Sequence, residues 1–482
     1  MKQTENLLSK PSKTFHPRIL VPWIIAITLL ISLTIGLITP VSAQALPSSV
    51  DNSPYITYFP ISQNGRTAYY VSPQGNDANP GTLTRPWRTL SRAAERVAPG
   101  DTVYVHGGVY QEAVDFSTSG TGEYPIKILA YPGDIPIIDG NNFQIPHQDG
   151  GSLLELSGDY VTASGIEVRY SSYLGVLVSG PHSVADNINS HHNLHGGMRA
   201  SGDYSVIQNS LVWSNDMQNY GGIYPAGDST GLTASRHPNY VTLRNNTVFG
   251  NWGIGMSTYE SNGTTLIGNI SYDNFGPNVY ISDATNVMFE LNFIYTTGAM
   301  NSPDQVGIQM GDEVSNPPSS DITIINNIVY NTDRNLACWE GSTGKMHNVL
   351  IANNTFVNSR EESGVLFKDG LLFENVKFIN NLILQEGDLP VISLANSHPG
   401  LTFSNNLWSK PPRDSASGPG DIIGDPLLAK TGDQYTPEWF KLTGYSPAIS
   451  KALSLPQVFI DFFGVNREAP PDIGASEFFP SP

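Results

Sequence analysis

Two aspartates pose the first chemical question. Asp283 and Asp312 each follow a short apolar alternation, Val279-Tyr280-Ile281-Ser282 and Ile308-Gln309-Met310-Gly311. Carboxylates held close together repel unless they share a proton or a cation. With Glu313 or Glu260 beside them they would form an oxygen-rich set of the kind that calcium takes. Asp283, Asp312 and Glu313 are therefore the candidate calcium ligands. Without a metal, the same two aspartates are a candidate acid pair for glycosidic hydrolysis, nearer the retaining separation of about 5–5.5 Å than the inverting one. Arg236-His237-Pro238 offers a fixed cation next to an imidazole, the side chain that exchanges protons near neutral pH. Lys368 is a further candidate base. Arg199 could hold an anion, and Tyr259, Tyr280 and Trp252 present aromatic faces on which sugar rings pack. His191, His192 and His195 fall on a strand and turn, where their spacing does not converge on zinc as it would on a helix.

The elements that must position these residues are read from an internal repeat. Between residues 160 and 410 an apolar alternation, an Asn or Asn-Asn, and a second short alternation recur, as in Val241-Thr242-Leu243-Arg244-Asn245-Asn246-Thr247-Val248. Aligning the phrases puts Asn187, Asn209, Asn246, Asn269, Asn292, Asn327, Asn354, Asn381 and Asn406 in one column, 22 to 37 residues apart. A third short strand follows most of them. Three strands per turn predict an all-β fold, a right-handed parallel β-helix, with coils about 4.8 Å apart. The asparagines are expected to be structural, pairing with one another and with turn amides. Asp283 and Asp312 then fall at matching strand ends in neighbouring coils. Alternation sends Ile254, Met256, Val279, Ile281, Ile308 and Met310 inward. Arg199, Arg236, His237, Tyr259, Glu260, Glu313, Glu340 and Lys368 are left on a groove or its rim. Two long insertions, residues 214–230 and 297–306, interrupt the same turn and would border that groove, with Tyr220 and Tyr224 on the first.

A solenoid must close its ends. Trp87, Leu90, Ala93, Ala94 and Val97 share one face at helical spacing, which predicts an N-terminal capping helix within 85–98. The N terminus reads as an export signal. Lys2, Lys10, Lys13 and Arg18 precede the apolar run 19–38, and Val41-Ser42-Ala43-Gln44-Ala45 offers small residues for cleavage. The run is also long enough for an uncleaved membrane anchor. The expected organisation is signal or anchor 1–45, linker 46–67, capped β-helix 68–410 and a C-terminal capping segment 411–482. A secreted or cell-surface monomer is expected. Losing residues 1–45 removes four cations and one anion and takes the net charge from −18 to −21. An acidic surface excludes nonspecific nucleic-acid binding. A single cysteine, Cys338, excludes intrachain disulfides and a cysteine zinc cluster.

Tyr69-Tyr70-Val71-Ser72-Pro73-Gln74-Gly75-Asn76-Asp77, Pro86-Trp87-Arg88-Thr89-Leu90 and Pro99-Gly100-Asp101-Thr102-Val103-Tyr104-Val105 resemble one known module. It is the N-terminal module of secreted right-handed β-helix proteins, including polysaccharide lyase family nine. The tail from Ser446 to Glu477 is similar to the terminal segment of the same proteins. The resemblance implies a pectate-lyase-like fold, a polysaccharide as partner, and calcium-assisted β-elimination with a lysine base, for which Lys368 is the candidate. A polyuronate approaching so acidic a chain needs a local cation, either calcium at Asp283 and Asp312 or Arg236. The same superfamily holds glycosidases, uronate epimerases and members without a reaction. A metal-independent hydrolase, an epimerase and a glycan-binding solenoid therefore stand beside the lyase reading.

Overall fold

Short alternating strands with one apolar row cannot bury that row alone, so they stack coil on coil. The computed structural model describes residues 66–480 except 142–144, 146–150, 224–228, 303, 314–318, 340–344 and 395–397. The expected export segment, the linker up to residue 65, Tyr224 and Glu340 lie outside the described residues. Three parallel sheets form the sides of a β-helix. Sheet 1 has 13 strands, from Ala68–Val71 to Leu401–Ser404. Sheet 2 has 13, from Gly108–Tyr110 to Ile422–Ile423, and sheet 3 has 11, from Val114–Asp115 to Ile392–Leu394. Each complete coil contributes one strand to each sheet in that order, and the terminal coils lack a strand in sheet 3. Ile207, Leu243, Leu266, Phe289 and Ile324 are one inward column of sheet 1, in register and fully buried.

The Asn-Asn doublets divide two tasks. The second member is buried: Asn246 donates to Asn269, Asn269 to Asn292, and the chain continues through Asn327, Asn354, Asn381 and Asn406 to Asp421. The first member, such as Asn245, Asn326, Asn353 or Asn380, takes the left-handed conformation that turns the chain, which asparagine tolerates better than most residues. Asn187 and Asn209 belong to this first class. Their φ angles are 50° and 53°, and the ladder position in their coils is held by Ile188 and Ser210. The column drawn from sequence was thus one residue out in those two coils. A second ladder stands at the turn from sheet 2 to sheet 3, where Asn193, Asn215, Asn251 and Asn274 hydrogen-bond in series.

At the opposite turn, from sheet 3 to sheet 1, Gly158, Gly180 and Gly202 stack with no room for a side chain. A Cβ on Gly180 would lie 1.9 Å from the Gly158 carbonyl oxygen. Gly180→Ala must push two coils apart, and we expect a loss of about 3 kcal/mol in urea denaturation, at the upper end of overpacking costs.

The helix at the first coils is shorter than its pattern. It spans Leu90–Ala94, with the Thr89 hydroxyl accepting from Arg92 N–H and the Glu112 carboxylate accepting from Leu90 and Ser91. Trp87, Leu90, Ala93 and Val97 join the main core. The C-terminal segment does not simply close the far end. Residues 411–424 add the last strand of sheet 2, and the chain then folds back along that sheet's outer face. Phe293, Ile328, Leu382 and Leu407 form an apolar column there that needs cover, and Leu428, Phe440, Phe462 and Ile473 supply it in a second buried cluster. Outward amides of the doublets hold the segment: Asn326 donates to Ile460 O, Asn353 to Asp472 O and Asn380 to Leu453 O.

Candidate functional site

Alternation in sheet 3 points one row out of each strand. The strands Met198–Ala200, Thr230–Ser235, Ile254–Tyr259 and Val279–Ser282 bring Arg199, Thr233, Ser257 and Tyr280 into one row. Ser235 and Tyr259 form the next. With Leu174, His195, Ser229, Thr230, Ile254 and Glu313 they line a cavity of about 260 Å³. Ile254, expected in the core, is half-buried in this wall, while Met256 does enter the core. Described residues of the two insertions meet at Phe275, which lies outside the cavity lining. Gly222 lies against the Phe275 ring, and Ser302 hydrogen-bonds Phe275 O.

Arg199 is the cation of the cavity. Its Nε and Nη1 are out of solvent and have no hydrogen-bond partner among the described residues, while Tyr173 hydrogen-bonds the guanidinium. Burial, and then the charge of Arg236, push it below the ordinary arginine value. A buried guanidinium with unused donors costs several kcal/mol unless an anion meets it. Three strands along, the buried Tyr280 hydroxyl donates to Glu313 Oε1 at 2.6 Å and accepts from Trp339 Nε1 at 3.2 Å. Burial, then the bond to Glu313, hold that phenol far above its usual range. Tyr259 is raised too, by burial and by Glu260, Asp283 and Glu313. Thr233 Oγ1 and Ser257 Oγ, 2.7 Å apart, form the floor between these ends. Reading Thr230–Ser235 as an alternating strand would have exposed Thr233 and Ser235, which the sequence reading passed over.

The candidate metal set behaves differently. Asp283 and Asp312 do occupy successive strand ends, since Ser282 pairs with Gly311. Both carboxylates are fully buried and turned to the backbone. Asp283 Oδ1 accepts from Glu313 N–H at 2.9 Å and Oδ2 from the Ser282 hydroxyl at 2.6 Å. Asp312 accepts from Ser319 N–H at 3.2 Å and Lys345 N–H at 3.1 Å. Three of the four oxygens accept backbone N–H groups and the fourth the Ser282 hydroxyl, and Glu313 is engaged by Tyr280. Among the described residues no group of three or more acidic, histidine or cysteine side chains converges on a common point. This donor set does not fit calcium, and the buried pair does not fit a hydrolytic acid–nucleophile couple reaching a sugar.

Arg236 and His237 sit at the exposed turn after Thr230–Ser235, both with left-handed φ, and His237 Nε2 is 3.6 Å from Glu260 Oε2. They stand on the rim beside the cavity. Lys368 does not join them: it lies 5.7 Å from the Trp339 ring centroid, and its strand is six strands beyond that of Arg199, about 29 Å. Trp252 is also outside the cavity lining, with Tyr220 at 4.8 Å and Phe275 at 5.9 Å.

His191 and His192, on sheet 2, share a hydrogen bond between their Nδ1 atoms at 2.8 Å. Burial pushes both down from 6.5 to about 4, helped by Arg169 and, for His192, by His191. The unfolded chain therefore binds more protons than the folded one between these values. Stability is full above about pH 6.5 and is lost as pH falls toward about 4. Thermal melts across that interval should show the loss, and His192→Asn should flatten it.

With this geometry in hand, comparison with known proteins is informative. Residues 69–207 match the Pel9A-like right-handed β-helix region and residues 175–343 the right-handed β-helix region. Pectate lyase L of Paenibacillus polymyxa (strain SC2) is 29% identical over 148 residues, 30% of this chain and 32% of that protein. The uncharacterized protein YwoF of Bacillus subtilis (strain 168) is 31% identical over 121 residues, 24% of this chain and 26% of that one. The matched stretch thus spans about a third or less of these relatives. The crystal structure of pectate lyase Pel9A superposes with a TM-score of 0.52 at 19% identity, covering 86% of this chain and 97% of its own, a likeness of fold. The chain folds as a right-handed parallel β-helix, similar in that fold to pectate lyase Pel9A.

Proposed function

We propose that the protein is a polysaccharide lyase that breaks a uronate-containing glycan by β-elimination in the sheet 3 groove. The observation that carries this reading is Arg199, whose Nε and Nη1 have no hydrogen-bond partner among the described residues, in a cavity lined by hydroxyls and phenols. A uronate carboxylate paired with that guanidinium loses charge, which acidifies the C5 proton. His237, one coil along and oriented by Glu260, takes the proton. The C5–H electrons form the C4–C5 double bond, the C4–O4 bond breaks, and O4 is protonated by the Tyr259 phenol or by water. No step is routed through calcium, because the Asp283 and Asp312 carboxylates are buried and hydrogen-bonded to backbone N–H groups and the Ser282 hydroxyl. An export signal at residues 1–45 would deliver such an enzyme to polymers outside the cell. The test is a panel of uronate polymers with chelator present, read by the ultraviolet absorbance of the unsaturated product. Reducing ends appearing without that absorbance would replace elimination by hydrolysis.

A further inference from the structure

One row of the cavity breaks the alternation of sheet 3, and the second asparagine ladder is the cause. A Cβ on Gly175, Gly197, Gly231 or Gly255 would strike the side-chain amide of Asn193, Asn215, Asn251 or Asn274, so these glycines take the inward place. The residues before them, Leu174, Gly196, Thr230 and Ile254, line the cavity instead. They stand two residues ahead of Val176, Met198, Leu232 and Met256, which are in register, and so form one row across four coils. In that row Gly196 alone lacks a side chain. Its φ is not left-handed, so the backbone there does not call for glycine. What it supplies is space. A Cβ on Gly196 would lie 3.0 Å from Leu174 Cδ1, 3.0 Å from Thr230 O and 3.3 Å from Ser229 Oγ, closer than ordinary contact. The cavity therefore has a notch floored by Gly196 and walled by Leu174, Thr230 and Ile254. The Ser229 hydroxyl stands at its side, held by His195 Nδ1 at 2.7 Å.

Gly196 precedes Arg199 by three residues, about 10 Å at most along the chain. A uronate whose carboxylate meets Arg199 can lay the opposite edge of its ring, O2 and O3, toward the notch. We infer that the notch receives an O-acetyl group on that edge, and that the protein prefers an acetylated uronate glycan to the unmodified polymer. The inference rests on the reading of Arg199 as the carboxylate anchor, not on the elimination chemistry. The acetyl methyl packs on Leu174 and Ile254, apolar surface that a bare hydroxyl leaves to water. The ester carbonyl accepts from Ser229, whose hydroxyl proton points outward when His195 Nδ1–H donates to Oγ. A methyl ester on the carboxylate is the wrong substituent, because it removes the charge that Arg199 meets.

The experiment uses polygalacturonate and polymannuronate, each unmodified and after partial acetylation with acetic anhydride. Binding is read by affinity electrophoresis and cleavage by ultraviolet absorbance. For at least one polymer the acetylated form should bind about tenfold tighter, the worth of one buried methyl and one hydrogen bond. Gly196→Ala, which raises the floor of the notch, should bring that ratio to about one. Ser229→Ala, which removes the donor and adds no bulk, should bring it to about threefold. Melting temperatures show whether each variant is folded, and if Gly196→Ala is not, Ser229→Ala decides. A native ratio of one or less, or a native ratio that the folded variants keep, overturns the inference. Failure of all four polymers to bind overturns it together with the role of Arg199. Acetyl preference without unsaturated product keeps the inference and removes the lyase reading, and cleavage without the preference does the reverse.

Discussion

Arg199→Gln should lower kcat/KM on a cleavable uronate glycan by about 2–5 kcal/mol, or some thirtyfold to several thousandfold, the range for removing one partner of a buried charge pair. Gln keeps polar bulk in the cavity but lacks charge, so the acidity of the C5 proton should suffer more than substrate placement. The loss should therefore appear mainly in kcat. Folding should be unharmed or improved, because the substitution removes a desolvated cation whose Nε and Nη1 have no partners among the described residues. Steady-state kinetics and a urea titration on the same protein separate the two effects. An unchanged kcat with normal stability would remove Arg199 from the reaction.

The second large effect is structural. Asn269→Ala should cost about 3 kcal/mol or more, since each orphaned buried polar group costs about 1–3 kcal/mol. The Asn269 side chain accepts from Asn246 N–H at 3.0 Å and from Asn246 Nδ2 at 3.1 Å, and donates to Leu243 O at 2.9 Å and to Asn292 Oδ1 at 3.0 Å. All four groups lose this partner at once. Asn209→Gly should differ from the native chain by less than about 1 kcal/mol, because glycine accepts the left-handed φ and the residue is exposed. Urea midpoints for the two variants distinguish the interior ladder from the turn that precedes it. Equal effects would mean that the doublet does not divide its tasks as described.

Strand order, coil number and the register of Asp283 with Asp312 were legible because alternation and the Asn-Asn phrase repeat for many coils. The error at Asn187 and Asn209 has a local cause. In those coils the doublet has lost its second asparagine to Ile188 and Ser210, and a lone Asn aligns equally well with either member. The second ladder had a readable signal that went unused: Asn193, Asn215, Asn251 and Asn274 each fall five residues after Ile188, Ser210, Asn246 and Asn269. At the site, types and coils were readable but directions were not. Arg199 and Tyr259 were placed on the groove from their strand positions and Tyr280 was read as an aromatic face for a sugar, and all three line one cavity. The carboxylates of Asp283 and Asp312 stand at strand ends, where alternation no longer applies. Their orientation depends on the N–H groups of Glu313, for Asp283, and of Ser319 and Lys345, for Asp312, which only the completed coil brings near.

The C-terminal return segment changes how the solenoid comes apart. A bare stack of coils is held by nearest neighbours alone and can fray from an end, one coil at a time. Here a single stretch of chain is pinned to Asn326, Asn353 and Asn380, which lie in three successive coils. Peeling the last of them away means tearing the return segment off the others as well. The second half of the molecule is thereby made cooperative, opening as one unit with a high barrier, while among the described residues the first coils have no such splice. Such a splice is protection against digestion from the tail inward.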